Sequence, residues 1–213
     1  MTIVIASGGR VAFTDMIGDV RAHIPMIVEF IAEQNLIRAC REFCQKSNVW
    51  RSTQQTLLTT AAGQTAYTFD LPADGEVWRV ASAWAGGSEL DVMLPGEQDG
   101  DPDATGSDDF VIGTAPPDQL LLVPGPLTAG VTIKGSLVFV PSDAASGLPT
   151  AIWSQYRRGI AHGAIADAVS EPGKPWSSPG AFAYHRGIFD EQVAKASYES
   201  GPVRRRPLRV TPC

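Results

Sequence analysis

The spacing of apolar residues changes twice along this chain of 213 residues, and that change restricts the fold more than any other feature. Apolar residues recur with the helical period from 29 to 47, alternate in short strands from 50 to 140, and return to the helical period from 150 to 200. Strands grouped between helices are typical of an α+β protein. We therefore predict a helical bundle, with two N-terminal and two C-terminal helices, an inserted antiparallel β module of six to seven strands, and an extended C-terminal arm.

The long helix predicted over 29–47 carries two cysteines four residues apart, Cys40 and Cys44. Its apolar stripe consists of Phe30, Leu36, Ile37, Cys40, Phe43 and Cys44. A redox pair has two residues between its cysteines, not three. A zinc site would need two further ligands, which neither the third cysteine nor the histidines supply at a suitable spacing. The pattern favours buried packing for both cysteines and gives no metal site.

Three further helices are predicted. The first runs over 14–22, with Thr14 or Asp15 as its N-cap, and the others run over 149–170 and 180–200. The third helix has an apolar stripe of Ile152, Tyr156, Ile160, Ala164 and Ala168, and small residues at Gly159, Ala161 and Gly163. The last helix has a stripe of Phe182, Phe189, Val193 and Ala196.

The β module is predicted from short alternating segments. The segment "TAYTFDL" places Tyr67, Phe69 and Leu71 on one face, and a hairpin is expected to turn at Gly86-Gly87. Gly135, inside a later strand, indicates a bulge or kink. Strands at this spacing are typical of a small sandwich or open barrel. The predicted core of the whole chain includes Leu36, Phe43, Tyr67, Phe69, Ile152 and Phe189.

Charge is unevenly distributed. The formal net charge is −6, yet the last 13 residues carry four arginines and no acidic residue. An acidic body argues against wrapping duplex DNA through its phosphates. No apolar run reaches the ~20 residues of a membrane-spanning helix, and the N-terminal segment lacks the basic start of a signal peptide. With three cysteines, the chain is expected to be made and kept in a reducing cytosol.

Catalytic and cofactor motifs do not occur in the sequence. It has no phosphate-cradling glycine loop, no H-E-x-x-H and no G-x-S-x-G, so we predict no enzyme and no cofactor. His162, between small residues, is interpreted as a packed or interface histidine. Asp99, Asp101 and Asp103 have calcium-loop spacing, but Ala104 replaces the glycine and Phe110 the glutamate of such loops. We interpret this stretch as a solvated hairpin loop.

The basic C-terminal tail admits three interpretations. Its candidate residues are Val203, Arg204, Arg205, Arg206, Pro207, Leu208, Arg209 and Val210. A like-charge block favours nucleic-acid contact, although no aromatic residue is interleaved for base stacking. Alternatively, prolines hold it extended as an arm that docks on a partner protein. The third interpretation is a loose end without function.

Four segments together resemble a known protein family. They are "IRACREFCQKSNVWR", "AAGQTAYTFDLPADGEVWRV", "LLLVPGP" and "GKPWSSPGAFAYHRGIFDEQVAKA". In this order they resemble the head-to-tail connector (adaptor) proteins of tailed bacteriophages, over about residues 14–199. Each piece is weakly specific alone, and the ordered set is more specific.

The resemblance implies a non-enzymatic virion structural protein, made in the host bacterial cytoplasm and placed at the head-tail junction. It implies a homo-oligomeric ring, usually of twelve copies, that contacts the portal protein above and a tail or nozzle protein below. DNA would pass its channel without sequence-specific binding, and no membrane is involved. The C-terminal arm, including Val203 to Val210, would dock on the portal.

The residues themselves fit this picture. An acidic channel lining would repel phosphates, and small residues suit subunit packing in a ring, so Gly159, His162 and Gly163 are ring-interface candidates. The predicted domains are an N-terminal arm (1–13), the helical body in two halves (14–49 and 150–200), the inserted β-sandwich or barrel module (50–140) and the basic arm (201–213).

Two other classes remain open besides the connector. One is a lower tail-tube or stopper protein of the virion. The other is a carbohydrate-binding β module that displays Trp78 and Trp84 from one strand. An enzyme is the least favoured class.

Overall fold

The computed structural model describes residues 9–93 and 110–201 of the chain. Its helices are α1 (Phe13–Arg21), α2 (Glu29–Ser47), α3 (Thr150–Ser170) and α4 (Pro179–Ser200). Its strands, β1 to β9 in chain order, are Arg10–Ala12, Gln55–Thr59, Ala66–Thr68, Gly75–Ala85, Ser88–Glu89, Val111–Ala115, Gln119–Val123, Thr132–Pro141 and Gly147–Pro149. The α+β class predicted from the spacing of apolar residues is confirmed.

The described residues form two compact units. The helical unit contains residues 9–51, 72–76 and 139–201, and the β unit contains residues 52–71, 77–93 and 110–138. All four helices lie in the helical unit, together with β1 and β9, which pair antiparallel with Arg10 opposite Pro149. Within the described residues, no helix combines the length and the apolar character that crossing a membrane requires.

The helix ends follow from local sequence, with one correction. Asn48 ends α2 in the left-handed conformation, and Ser178 caps α4 by accepting a hydrogen bond from the Ala181 amide. The predicted N-cap at Thr14 or Asp15 is wrong, because the chain enters α1 directly from β1. Ala12 occupies the cap position without a side-chain hydrogen bond, and the Phe13 amide donates to the Ser146 carbonyl at 3.0 Å. An amide at the start of α1 is thus satisfied by a backbone carbonyl and not by a capping side chain.

The core of the helical unit is built around α3, which packs against α1, α2 and α4. The whole predicted stripe of α3 is buried, and the Phe43 ring contacts Tyr156 and Phe189 at centroid distances of 5.2 and 5.9 Å. Cys40 and Cys44 are fully buried, as predicted. Two members of the predicted apolar stripes do not face the core: Phe30 and Phe182 lie in the first turns of α2 and α4 and are exposed.

Two tryptophans of the quoted motifs fix the chain around the helices. The Trp176 indole donates a hydrogen bond to the Ala168 carbonyl at 3.1 Å, which satisfies an acceptor in the last turn of α3. Trp50, just after α2, is buried and packs against Phe139 at 6.2 Å. The two tryptophans therefore fix the chain at the C-terminal ends of α2 and α3.

The β unit contains two antiparallel sheets, with strand orders β2-β8-β4-β5 and β3-β7-β6. The β4–β5 hairpin turns at Gly86-Gly87, where both residues have positive φ, as predicted. The register of β2 on β8 shifts between Thr56 and Leu58, and a Cβ on Gly135 would collide with the Ser82 carbonyl oxygen. Glycine is thus required beside this bulge. Tyr67 is buried, as predicted, but the predicted burial of Phe69 is wrong. Phe69 is half-buried because it lies just past the end of β3 at Thr68, outside the paired strand.

Candidate functional site

The two glycines predicted at a ring interface lie between α3 and α4 of one chain. A Cβ on Gly159 would lie 2.6 Å from Cβ of Gln192, and a Cβ on Gly163 would lie 2.5 Å from Cδ2 of Phe189. Both glycines are buried. Their small size is therefore explained by close packing of two helices in the same chain. A further role at a ring interface stays a prediction.

His162, the third predicted interface residue, belongs to a cluster of three histidines. Its Nδ1 atom lies 2.6 Å from Nδ1 of His185 on α4. The ring of His23, which follows α1, lies 5.6 Å from the His162 ring and 5.1 Å from the His185 ring. Sequence reasoning missed this histidine cluster (His23, His162, His185), because its members come from three distant segments.

The surroundings of His162 and His185 favour the neutral form of both imidazoles. Burial, together with the charges of His185, His23 and Arg158, lowers the pKa of His162 to about 4. Burial and the charge of His23 also lower the pKa of His185. Within the part of the chain that the structure describes, no group of three or more histidine, cysteine, aspartate or glutamate residues is arranged to hold a metal ion.

An open groove of about 420 Å³ lies beside the histidine cluster, in the helical unit. On its wall, the Arg157 guanidinium donates two hydrogen bonds to Asp19, at 2.8 and 2.5 Å. This ion pair joins α3 to α1. Arg158 and His162 also line the groove.

A second charged cluster links α2, α3 and α4. Arg186 donates to Glu42 through both terminal nitrogens, and Lys46 Nζ lies 2.6 Å from the same carboxylate. Burial opposes ionisation of Glu42, but these hydrogen bonds outweigh it and lower its pKa. Burial and the negative charge of Glu42 raise the pKa of Asp167 to about 6. Asp167 thus carries an unfavourable charge at neutral pH.

The helical unit exposes a short run of large apolar side chains. Met26 is 75% exposed and Val28 57%, in the segment before α2, and Phe30 is 67% exposed in its first turn. Ile24 and Ile27 of the same segment are buried and anchor its backbone, while Met26, Val28 and Phe30 face outward. We call Met26, Val28 and Phe30 the apolar edge.

The remaining predicted sites divide into two groups. The two cysteines are inert packing residues, because burial disfavours the reactive thiolate. Burial raises the pKa of Cys44 to about 12. Burial and the neighbouring Cys44 also raise the pKa of Cys40 well above its usual value. The predicted arm, Val203 to Val210, the acidic loop with Asp99 to Asp103, and Cys213 lie outside the described residues.

A groove of about 610 Å³ lies in the β unit, beside the β4–β5 hairpin. Trp84 lines it together with Gln54, Thr132 and Lys134. Trp84 is half-buried, and so is Trp78. Neither tryptophan is therefore a fully buried core residue.

Comparison with known proteins identifies the class. A family model for bacteriophage adaptor proteins matches residues 11–209, nearly the whole chain. That family is described as SU10 adaptor protein, and the chain belongs to it. The resemblance seen in the sequence motifs is confirmed, and the chain is a structural protein of the phage adaptor class. No curated protein matches the chain.

Proposed function

We propose that copies of this chain assemble into a ring, of twelve copies, between the portal and the tail of a bacteriophage. The ring joins the two and surrounds the channel through which DNA passes. The observation that carries this proposal is the family match over residues 11–209, combined with the absence of any recognised catalytic motif in the sequence. The protein acts as a structural connector and not as a catalyst. It is made in the host cytoplasm and becomes part of the virion.

The apolar edge is the surface we assign to contact between neighbouring copies. Scattered apolar side chains on a surface are ordinary, but here three large ones occur within five residues. Each of the three side chains is more than half exposed, while the buried Ile24 and Ile27 fix the backbone between them. Burying such side chains against a neighbour contributes roughly 25 cal/mol per Å² of apolar surface.

The proposed roles of the channel lining and of the C-terminal arm rest on their charges. A net charge of −6 on each copy repels DNA phosphates, so that DNA passes without binding in a sequence-specific way. The arm with Val203 to Val210 carries four arginines, and we assign it to an acidic surface of the portal. A tail or nozzle protein takes the opposite side of the ring.

The assembly proposal is tested by placing a charge on the apolar edge. Phe30→Asp should abolish or strongly reduce ring formation on the purified portal, as measured by native mass, while leaving thermal unfolding of the chain nearly unchanged. Leu127→Asp is the matched control, since Leu127 is also apolar and 60% exposed but lies in the β unit. Rings that form equally well with Phe30→Asp would remove the apolar edge from the interface.

A second candidate function has one observation in its favour. Trp84, with amide, hydroxyl and ammonium groups around it, lines an open groove suited in chemistry to a sugar ring. Quenching or a spectral shift of tryptophan fluorescence by soluble glycans, lost in Trp84→Ala, would support a carbohydrate-binding module. No change across a panel of glycans would reject it.

A further inference from the structure

The histidine cluster joins three parts of the helical unit that are distant in sequence. His23 follows α1, His162 lies in the middle of α3, and His185 lies near the start of α4. The three ring centroids are separated by 4.8, 5.1 and 5.6 Å. His162 and His185 are buried, and His23 is exposed and covers them from the side of α1.

The hydrogen bond between His162 and His185 requires a single proton between the two Nδ1 atoms. At an Nδ1–Nδ1 distance of 2.6 Å, one nitrogen donates a proton and the other accepts it. A second proton on the accepting nitrogen would leave two donors facing each other and would place a positive charge in a buried site. The contact therefore holds only while at least one imidazole is neutral.

The surrounding charges do not compensate such a proton. The groups facing the histidine cluster are Arg158 on α3, the Arg157–Asp19 ion pair between α3 and α1, and the Tyr184 hydroxyl side chain on α4. The Asp19 carboxylate is engaged by both nitrogens of Arg157. Among the described residues, no carboxylate hydrogen bond to any of the three imidazoles occurs. A proton added to one of these imidazoles would therefore lie in a region of net positive charge, because Arg158 has no compensating carboxylate among the described groups that face the cluster.

We propose that the histidine cluster is a proton-sensitive lock, which holds α1, α3 and α4 together at neutral pH and weakens as the pH falls below about 6.5, the ordinary titration range of histidine. This inference stands on the cluster alone and does not depend on the proposed function. Acidification loosens the contact of α1 with α3 and α4 before the rest of the helical unit unfolds.

The direction of the effect follows from linkage. His162 has a folded-state pKa of about 4, below the ordinary 6.5, so the unfolded chain binds more protons between these values. Stability from this residue is complete above pH 6.5 and is lost as the pH falls toward 4. Asp167, whose pKa is raised to about 6, acts in the opposite direction over the same range. Substitutions are needed to separate the two contributions.

The test compares thermal unfolding of the full chain at pH 7.5 and pH 5.0, in wild type and in His162→Asn. Asparagine offers an amide near the position of Nδ1 but does not titrate. EDTA is present throughout, so that proton competition with adventitious metal cannot produce the same pH dependence. We expect the drop in Tm on acidification to be about 4 °C smaller in the variant than in wild type. Equal drops in both proteins would overturn the proposal.

Two further measurements cover a variant that fails to fold. In the wild-type chain, NMR titration of the imidazole protons should show His162 half-protonated well below pH 6. Hydrogen exchange should show the amides of α1 losing protection at pH 5.0 before those of α2. An ordinary titration near pH 6.5 with unchanged α1 protection would contradict the lock.

Discussion

The backbone of Gly163 on α3 lies directly against the ring of Phe189 on α4. A Cβ at position 163 would lie 2.5 Å from Cδ2 and 2.7 Å from Cε2 of that ring, and 3.1 Å from Cβ of Ala39 on α2. Both residues are buried, so neither side has free space into which to move. Three helices therefore meet at this point at a distance that only glycine permits.

Gly163→Ala should accordingly destabilise the chain. Overpacking a buried contact costs about 1–3 kcal/mol, which exceeds the gain of up to about 1 kcal/mol that alanine gives in a helix interior. The free energy of unfolding, measured in urea, should fall.

Gly187→Ala is the matched control for this substitution. Gly187 also lies inside a helix, α4, but a Cβ there would meet no atom within 4 Å. This variant should gain up to about 1 kcal/mol of stability. A stabilised Gly163→Ala would show that α3 and α4 are not packed as described.

The bounds of a helix could be predicted where its apolar residues repeat over many turns. The predicted bounds of α2, 29–47, agree with the structure, because five turns of stripe separate a buried face from a charged one. The pair β1–β9 could not be predicted, since three-residue strands have no measurable period. Phe30 was wrongly placed on the core-facing stripe of α2, because a residue in the first turn of a helix can match the apolar period and still lie beyond the edge of the core.

The carboxylate of Asp167 is disfavoured by its surroundings, so its removal should stabilise the chain. Asp167→Asn should stabilise the chain at pH 8 by about 1–2 kcal/mol, because the raised pKa of about 6 reflects a carboxylate that is disfavoured by burial and by Glu42. The unfolded carboxyl ionises near pH 4, so the unfavourable contribution develops as the pH rises from 4 through 6. At pH 4 the advantage of the variant should vanish.

The control is Asp143→Asn, since the Asp143 side chain is 93% exposed and its ion pair with Arg41, at 3.5 Å, is exposed to solvent and contributes little. Surface substitutions of this kind change stability by less than about 0.5 kcal/mol. Thermal unfolding at pH 4 and pH 8 checks both variants. A constant difference between Asp167→Asn and wild type at the two pH values would mean that the Asp167 carboxyl does not titrate abnormally.

The candidate sites were only partly predictable for a related reason. Motif spacing identified the family, since its residues stay in one order along the chain. Glu42 and Arg186 are 144 positions apart, and His23 and His185 of the histidine cluster are further apart still, so no local pattern records such contacts. Gly159 and Gly163 were recognised as residues for close packing, but sequence alone could not say which helix they pack against.

The basic tail gives a prediction that depends on ionic strength. If Arg204 to Arg206 dock on an acidic portal surface, their replacement by alanine should weaken attachment at low salt and flatten its salt dependence, because exposed charge pairs are screened. Binding to immobilised portal at 50 mM and 500 mM salt checks this. Unchanged binding of the triple variant at both salt concentrations would rule out electrostatic docking by these residues.

The central claim is that this chain forms a ring on the portal and is held there by its C-terminal arm. The most direct measurement is native mass and particle shape for the full chain and for a variant lacking residues 201–213, each alone and mixed with the portal of the same virus. We expect a ring of copies on the portal with the full chain and no such ring with the truncated variant. No association of the full chain with the portal would contradict the account and would favour a position lower in the tail or a separate binding role.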